Sequence, residues 1–343
     1  MSAASSIFKP PIWLWEVLGV PKAVEGSVFP VRGQPYRLQG GVVRSSELLS
    51  DQQAATGEAF GYKWRRTDTF ESDTSRQRAC TWLVERYGDL RTGEWLSEFG
   101  ARPLLVDAGC GAGLSGLELF GPVMDRVRYL AVDVSTAVDV AAKRFHAAGR
   151  FPALMQADIS RLPLAPASVD VIFSEGVLHH TDSTEAALKS LAALLRPGGR
   201  FMFYVYRKKG PIREFTDDYI RERLQPLSQE ERWLALEPLT KLGISLGRLD
   251  AYIDVEDPVE MLGIPKGRIN VQRLFYWYVA KMFYSPDLSP DEMNHINFDW
   301  YAPVNAHRQT PEEVRHWCSQ AGLQIEREVV EEAGITIIAR RSN

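Results

Sequence analysis

Cysteine is scarce in this chain. The three that occur in 343 residues, Cys80, Cys110 and Cys318, are scattered, odd in number and form no CxxC. That excludes a disulfide framework and favours a reducing, cytoplasmic setting. No stretch reaches the ~18 consecutive apolar residues of a membrane span, and the N-terminus carries no basic segment followed by an apolar core. Neither membrane insertion nor secretion is expected. Excess positive charge is missing as well: 40 Lys and Arg against 44 Asp and Glu give a formal net charge of −4. A dedicated nucleic-acid binder usually shows a strongly basic face, so no nucleic-acid partner is expected. There is no internal repeat and no low-complexity tract. What remains is 45% hydrophobic and 24% charged, a globular balance at a length suited to one large or two ordinary domains.

Against that background one stretch stands out. Leu104-Leu105-Val106 is an apolar run ending in Asp107. Gly109, Gly111 and Gly113 then fall within five positions, and an apolar, helix-like segment begins at Leu114. This reads as strand, tight glycine turn, helix start. Glycine lets a ligand approach where a Cβ would clash, and the amides of a helix N-terminus follow directly. A dinucleotide site wants G-x-G-x-x-G, but Leu114 stands at the third glycine position.

From Pro103 onward strands and helices alternate, the mark of a doubly wound parallel sheet. Strands are expected at 104–106, 129–132, 153–156, 169–173 and 200–206. Asp182 and Glu185 are spaced as a capping box for the helix before Arg196-Pro197-Gly198-Gly199. The alternation stops over 211–307, a mostly helical stretch. It resumes with Thr310-Pro311-Glu312-Glu313, a helix start, and two closing strands at 323–329 and 335–339 that suit an antiparallel edge pair.

D-A-G-C-G-A-G resembles the (D/E)xGxGxG motif of class I S-adenosylmethionine-dependent methyltransferases. Asp133 and Asp158 fall at the next two strand ends, Ser174-Glu175 ends the fourth strand before an LHH segment, and Leu195-Arg196-Pro197-Gly198-Gly199-Arg200-Phe201 is similar to the family's LxPGGxF turn. The resemblance covers 101–206 and extends more loosely to 308–343. It implies an α/β fold with a seven-stranded, mostly parallel sheet, a largely helical insertion after strand five and an N-terminal appendage. It divides the chain into 1–50, an appendage of short strands; 51–100, helices covering the cofactor cleft; 101–210 plus 308–343, the core; and 211–307, a lid or substrate insertion. The appendage is similar to zinc-ribbon-like modules that precede some methyltransferases, but without cysteines no zinc is expected.

The implied cofactor is S-adenosyl-L-methionine. The implied cofactor contacts are Asp107, Gly109, Cys110, Gly111 and Gly113 at the turn, Asp133 and Val134 at the ribose, Asp158 and Ile159 at the adenine, and Ser174 and Glu175 near the methionine end. A carboxylate at Asp133 can accept from both ribose hydroxyls. Phe60 and Trp64, in an FGxxW segment like one that precedes the sheet in related enzymes, either cover the cofactor or pack in the core.

Transfer of an activated methyl is an in-line displacement, so orientation supplies much of the rate. Candidate bases near the methyl are Glu175, His179 and His180, although histidines of an LHH segment also serve as packing groups. Tyr62, Tyr206, Lys208, Tyr276, Trp300 and Tyr301 are the candidate acceptor contacts, drawn from the N-terminal helices, the end of strand five and the aromatic-dense insertion. Its aromatics suit a pocket wall, a partner surface or a cation cage. The cluster Arg207-Lys208-Lys209 suits an acidic acceptor or a solvated loop. His295 and His307 bracket Asp299 without metal-ligand spacing, so no metal is expected. A small-molecule acceptor is the first reading. A tRNA or protein methyltransferase, a catalytically silent binding partner, and another use of the same cofactor are the alternatives; a homo-oligomer is compatible with all of them.

Overall fold

The structure, a computed structural model, describes residues 8–342; the first seven residues of the 1–50 appendage and Asn343 lie outside them. The chain runs α1 (Ile12–Leu18), β1 (Val28–Val31), β2 (Gln34–Gln39), β3 (Val42–Ser45), α2 (Asp51–Arg65) and α3 (Asp73–Tyr87). It continues through β4 (Leu104–Ala108), α4 (Leu114–Phe120), β5 (Arg128–Asp133), α5 (Ala137–Ala147), β6 (Ala153–Gln156), β7 (Val169–Glu175), α6 (Thr184–Leu194) and β8 (Leu195–Tyr206). The insertion follows as α7 (Pro211–Leu224), α8 (Gln229–Arg248), β9 (Tyr252–Val255), β10 (Gly267–Asn270), α9 (Val271–Tyr278) and α10 (Pro290–Tyr301). α11 (Pro311–Gln320), β11 (Leu323–Val330) and β12 (Gly334–Arg341) close the fold.

One sheet of ten strands, in the order β1-β2-β3-β6-β5-β4-β7-β8-β12-β11, organises the molecule. β6, β5, β4, β7 and β8 are parallel; β12 and β11 join antiparallel at one end. These seven strands match the expected sheet. The other three are the N-terminal ones, which extend the same sheet instead of standing beside it. β3 pairs parallel with β6 through Val43↔Met155 and Arg44↔Gln156, and Arg44 donates to Gln156 at 2.6 Å and Asp139 at 2.5 Å. A bare β6 edge would leave backbone donors and acceptors unpaired; β3 covers it.

All five residues of β4 are buried, as a strand covered on both faces requires. Side chains alternate between the faces. Leu104, Val106, Leu130 and Val132 pack with α1, α6 and α11, while Leu105, Tyr129 and Ala131 pack with α3, α4 and α5. The α6 start differs from the expected capping box. Ser183, not Asp182, caps it, accepting from Ala186 N at 3.2 Å. Asp182 instead accepts from Ser50 Oγ at the start of α2 and from Asn305 Nδ2 at 2.9 Å.

The insertion is helical except for the β9–β10 hairpin. Its interior is polar. Arg213 and Asp217, fully buried, form an ion pair at 2.9 Å. Asp217 also accepts from Trp300 Nε1 and Tyr301 Oη, each at 2.8 Å. Arg221 and Arg232 donate to the Trp300 and Ala302 carbonyls at 2.9 and 2.8 Å, satisfying acceptors that the end of α10 would leave bare. These contacts hold α7, α8 and α10 over the C-terminal end of β8.

Candidate active site

The turn after β4 is shaped by its neighbours. Gly109 and Cys110 both donate to the Val132 carbonyl at 2.8 Å, pinning the loop to the end of β5. Gly109 has φ +95°, and Val177 fills the space a Cβ would need. A Cβ on Gly111 would stand 3.0 Å from the Trp64 indole, so α2 rests directly on the glycine loop. Only glycine allows that approach.

A cavity of about 520 Å³ lies over this loop. Asp107, Gly109, Cys110, Gly111, Asp133, Val134, Asp158, Ile159, Glu175, Phe60 and Trp64 all line it. Gly113 and Ser174 do not. Gly113 gives room to the Phe145 ring, and Ser174 Oγ donates to the Ala108 carbonyl at 2.8 Å, joining β7 to β4.

Asp107, Asp133, Asp158 and Glu175 bring carboxyls to the cavity from the strand ends. Asp107 Oδ2 accepts from Tyr129 Oη at 2.6 Å. Burial pushes the Asp107 carboxyl up to about 7; the Tyr129 bond opposes that and Asp133 adds to it. Asp133 Oδ1 accepts from Ser135 N and Oγ at 2.8 and 2.6 Å, and Oδ2 accepts from Gly111 N at 2.8 Å. A carboxylate has about four acceptor positions. Three of them are in use, which leaves one free position, on Oδ2. Asp158 accepts from Ser160 N at 2.8 Å and pairs with Arg161 at 3.2 Å.

Glu175 is more enclosed. Tyr87 Oη donates to Oε2, and Arg86 stands 3.7 Å from Oε1, which has no hydrogen bond. Burial lifts this carboxyl to about 7, against Arg86 and Tyr87.

The two histidines separate sharply. His180 Nδ1 lies 2.6 Å from the Asn305 carbonyl. A carbonyl only accepts, so Nδ1 carries the proton and Nε2 keeps its lone pair. Nε2 is buried without a partner, and His180 lines the cavity. Burial lowers its pKa to about 4. His179 is fully buried away from the cavity. Its Nδ1 accepts from Tyr206 N at 3.3 Å and its ring stacks on Tyr206 at 3.7 Å, which makes it a support for the end of β8, not a reacting group.

Among the candidate acceptor contacts, Tyr206 and Tyr276 line the cavity. The other four do not. Tyr62 packs on Phe298 with ring centroids 5.5 Å apart. Lys208 lines a separate cleft with Glu214, Asp218 and Arg308 on the outer side of the chain's return to the sheet. Trp300 and Tyr301 are spent on Asp217.

In their place the cavity presents Lys63, Trp82, Tyr204, Lys281, Phe283, His295 and Asp299. Lys63 Nζ donates to Asp299 Oδ1 at 2.5 Å and Tyr206 Oη donates to Asp299 Oδ2 at 2.9 Å. Burial alone would raise the Asp299 carboxyl, but Lys63, His180 and Lys281 together hold it well below the usual range. His295 Nδ1 is 2.7 Å from Thr69 Oγ1. The available signal for these residues was a lone charge inside an apolar run, such as Lys281 in Val279-Ala280-Lys281-Met282-Phe283. Among the described residues no group of three or more His, Cys, Asp or Glu side chains converges as metal ligands do.

Residues 106–203 match the methyltransferase domain family. The malonyl-[acyl-carrier protein] O-methyltransferase of Enterobacter lignolyticus is 34% identical over 99 residues, 29% of this chain and 37% of that protein. The probable tRNA methyltransferase 9B of Bos taurus is 29% identical over 138 residues, 38% of this chain and 28% of that protein. The chain spans from 18% to 64% of the length of curated relatives it matches. Among solved structures, the magnesium protoporphyrin IX methyltransferase of Synechocystis with bound S-adenosylhomocysteine is 16% identical, with 84% of this chain and 98% of that one covered and a TM-score of 0.44. The 106–203 match and the strand order around the Asp107–Gly113 turn identify this part of the chain as a methyltransferase domain of the class I S-adenosylmethionine-dependent type.

Proposed function

We propose that this chain moves a methyl group from S-adenosylmethionine to a small acceptor enclosed between the sheet, α2 and the insertion. The observation that carries the reading is the composition of the one cavity wall. Cofactor-side groups (Asp107, Gly111, Asp133, Asp158) and insertion-side groups (Tyr276, Lys281, Phe283, Asp299) line the same cavity. Its volume lies within the range of small-molecule sites, about 300–1,000 Å³. An enclosed acceptor fits that arrangement better than a macromolecule, which would need an open, basic surface.

The residues fit the cofactor. Asp133 has one acceptor position left for a ribose hydroxyl. Asp107 and Glu175 are buried carboxyls raised by desolvation, Glu175 Oε1 being ion-paired with Arg86 but without a hydrogen bond, and a cationic ligand would favour their ionised forms. S-adenosylmethionine supplies, when bound, a methyl already activated by its sulfonium. What the chain supplies is orientation, exclusion of water by α2 and the insertion, and a proton acceptor. His180 Nε2 is that acceptor: neutral, unpartnered and fixed in tautomer by Asn305. Residues 51–65 and 271–301 then act as the cover that selects the acceptor.

The test is formation of S-adenosylhomocysteine by the purified chain against a metabolite extract, bulk tRNA and a protein extract in parallel. Turnover with the metabolite fraction alone is the expected result. Turnover only with tRNA or protein overturns the small-acceptor reading, and none with any fraction at saturating cofactor overturns the enzymatic one.

A further inference from the structure

The cavity contains an uneven charge. Each oxygen of Asp299 has a partner, Lys63 on one and Tyr206 on the other. Lys281 is not. Its backbone N–H donates to Tyr301 Oη at 2.8 Å, which fixes where the residue sits. Its Nζ lies 4.7 Å from the centroid of the Trp300 ring, and among the described residues it makes no ion pair and no hydrogen bond. The residue is 8% exposed, yet it lines the cavity. Buried charges in proteins are paired or lose their charge, because an isolated ammonium out of water is strongly disfavoured. Burial, with Arg213 and Lys63 acting in the same direction and Asp299 and Asp217 opposing, brings its pKa down to about 7.

The surroundings say what would pair with it. Trp300 stands 4.3 Å from Tyr206, ring to ring, and Tyr206 stands 6.2 Å from Tyr204, which meets Trp82 at 5.7 Å. Tyr276 and Phe283 face each other at 6.1 Å. Of these rings Trp82, Tyr204, Tyr206, Tyr276 and Phe283 line the cavity and give a flat, apolar body a place to lie, while Trp300 backs Tyr206 and Lys281. Of the two acids that act on Lys281, Asp299 is already paired with Lys63 and Asp217 with Arg213. The aromatic walls and the lone ammonium together select an anion with an apolar body.

We propose that the methyl acceptor is an aromatic carboxylic acid whose carboxylate pairs with Lys281, the ring lying among Tyr204, Tyr206 and Tyr276 with its accepting atom toward His180. This rests on the methyl-transfer reading above. Trp300 and Tyr301 thereby regain a part in recognition, as positioning residues that set Lys281 rather than as contacts of their own.

The experiment uses the full chain loaded with S-adenosylhomocysteine, whose binding is measured first. Benzoate, phenylacetate and 1-naphthoate are then titrated by calorimetry beside benzamide, phenylacetamide and 1-naphthamide. The acids are expected to bind at least about tenfold more tightly than their amides, the scale of one charge-assisted hydrogen bond. In Lys281→Met the preference disappears while amide affinity and S-adenosylhomocysteine affinity stay as in wild type, and Lys281→Arg keeps it. Acids that bind no better than amides, a preference that persists in Lys281→Met, or no acid binding at millimolar concentration overturns the proposal. The wild-type comparison of acid with amide decides even where the variant does not fold. Absence of S-adenosylhomocysteine binding instead counts against the methyltransferase reading, so the two failures are distinguishable.

Discussion

Lys63 Nζ lies 2.5 Å from Asp299 Oδ1. This ion pair joins α2, which rests on the glycine loop, to α10 of the insertion, so the two covers of the cavity are tied to each other across it. Lys63 also stacks on Trp64, 3.8 Å from the ring centroid, which couples the same tie to the indole over Gly111. Lys63→Met removes the pair and leaves Asp299 with Tyr206 alone. A loss of about 1–3 kcal/mol is expected, the scale of a hydrogen bond to a charged group. Hydrogen exchange should speed up together in 51–65 and 290–301, while β4 and β5 stay protected. Exchange that rises in neither segment, or in only one, contradicts the coupling.

His180 gives a kinetic prediction. With Nδ1 held by the Asn305 carbonyl, Nε2 is the free base on the cavity. His180→Ala should lower kcat by about 10²–10⁴-fold, the usual contribution of a general base, with S-adenosylmethionine affinity unchanged. Because burial lowers its pKa to about 4, the ring stays neutral well below the ordinary histidine value, and the acidic limb of kcat attributable to it should fall near pH 4. The same shift has a stability sign. A base with a lowered folded pKa contributes stability that is present above its ordinary value and is lost as pH falls through about 4. A kcat that falls already near pH 6.5 argues for a different base.

Asp107 and Glu175 predict the opposite dependence for the cofactor. Both are raised by burial to about 7, so each contributes stability that is fully present below its ordinary value and lost as pH rises through about 7. A bound cation favours the ionised forms. S-adenosylmethionine should therefore bind more tightly as pH rises from 6 to 8, with proton release seen as a buffer-dependent enthalpy in calorimetry. Asp107→Asn should flatten that dependence. An affinity independent of pH over this interval contradicts the coupling.

Much of the fold is legible in the sequence because parallel strands buried on both faces read as apolar runs, and the turn chemistry around them is local. Asp107, Asp133 and Asp158 are legible for the same reason: each falls at or just past a strand end, and strand ends on one side of a parallel sheet converge. The extra sheet strands are not. β1–β3 are recognisable as strands, but the pairing of β3 with β6 is a long-range choice. The acceptor side is the least legible. Trp300 and Tyr301 look like pocket walls until Asp217, more than eighty residues away in sequence, takes their polar atoms. Lys208 sits in a basic cluster yet faces the outer cleft, whereas Lys281, alone in an apolar run, faces the cavity. Which way a single lysine points depends on the packing of α9 and α10, and no local pattern encodes it. The Asp182 capping box fails more simply: Ser183 is an equally good cap one residue on, and Asp182 is drawn to Ser50 and Asn305.

Everything here depends on the cavity over the Asp107–Gly113 turn holding S-adenosylmethionine, and calorimetric titration of the full chain with S-adenosylmethionine and S-adenosylhomocysteine measures that directly. Saturable one-to-one binding of both is expected, with about a hundredfold loss in Asp133→Ala, equivalent to about 2.7 kcal/mol. The thermal stabilisation conferred on wild type should be lost in the variant at the same ligand concentration. No binding at millimolar ligand, or equal binding by wild type and Asp133→Ala, would contradict it.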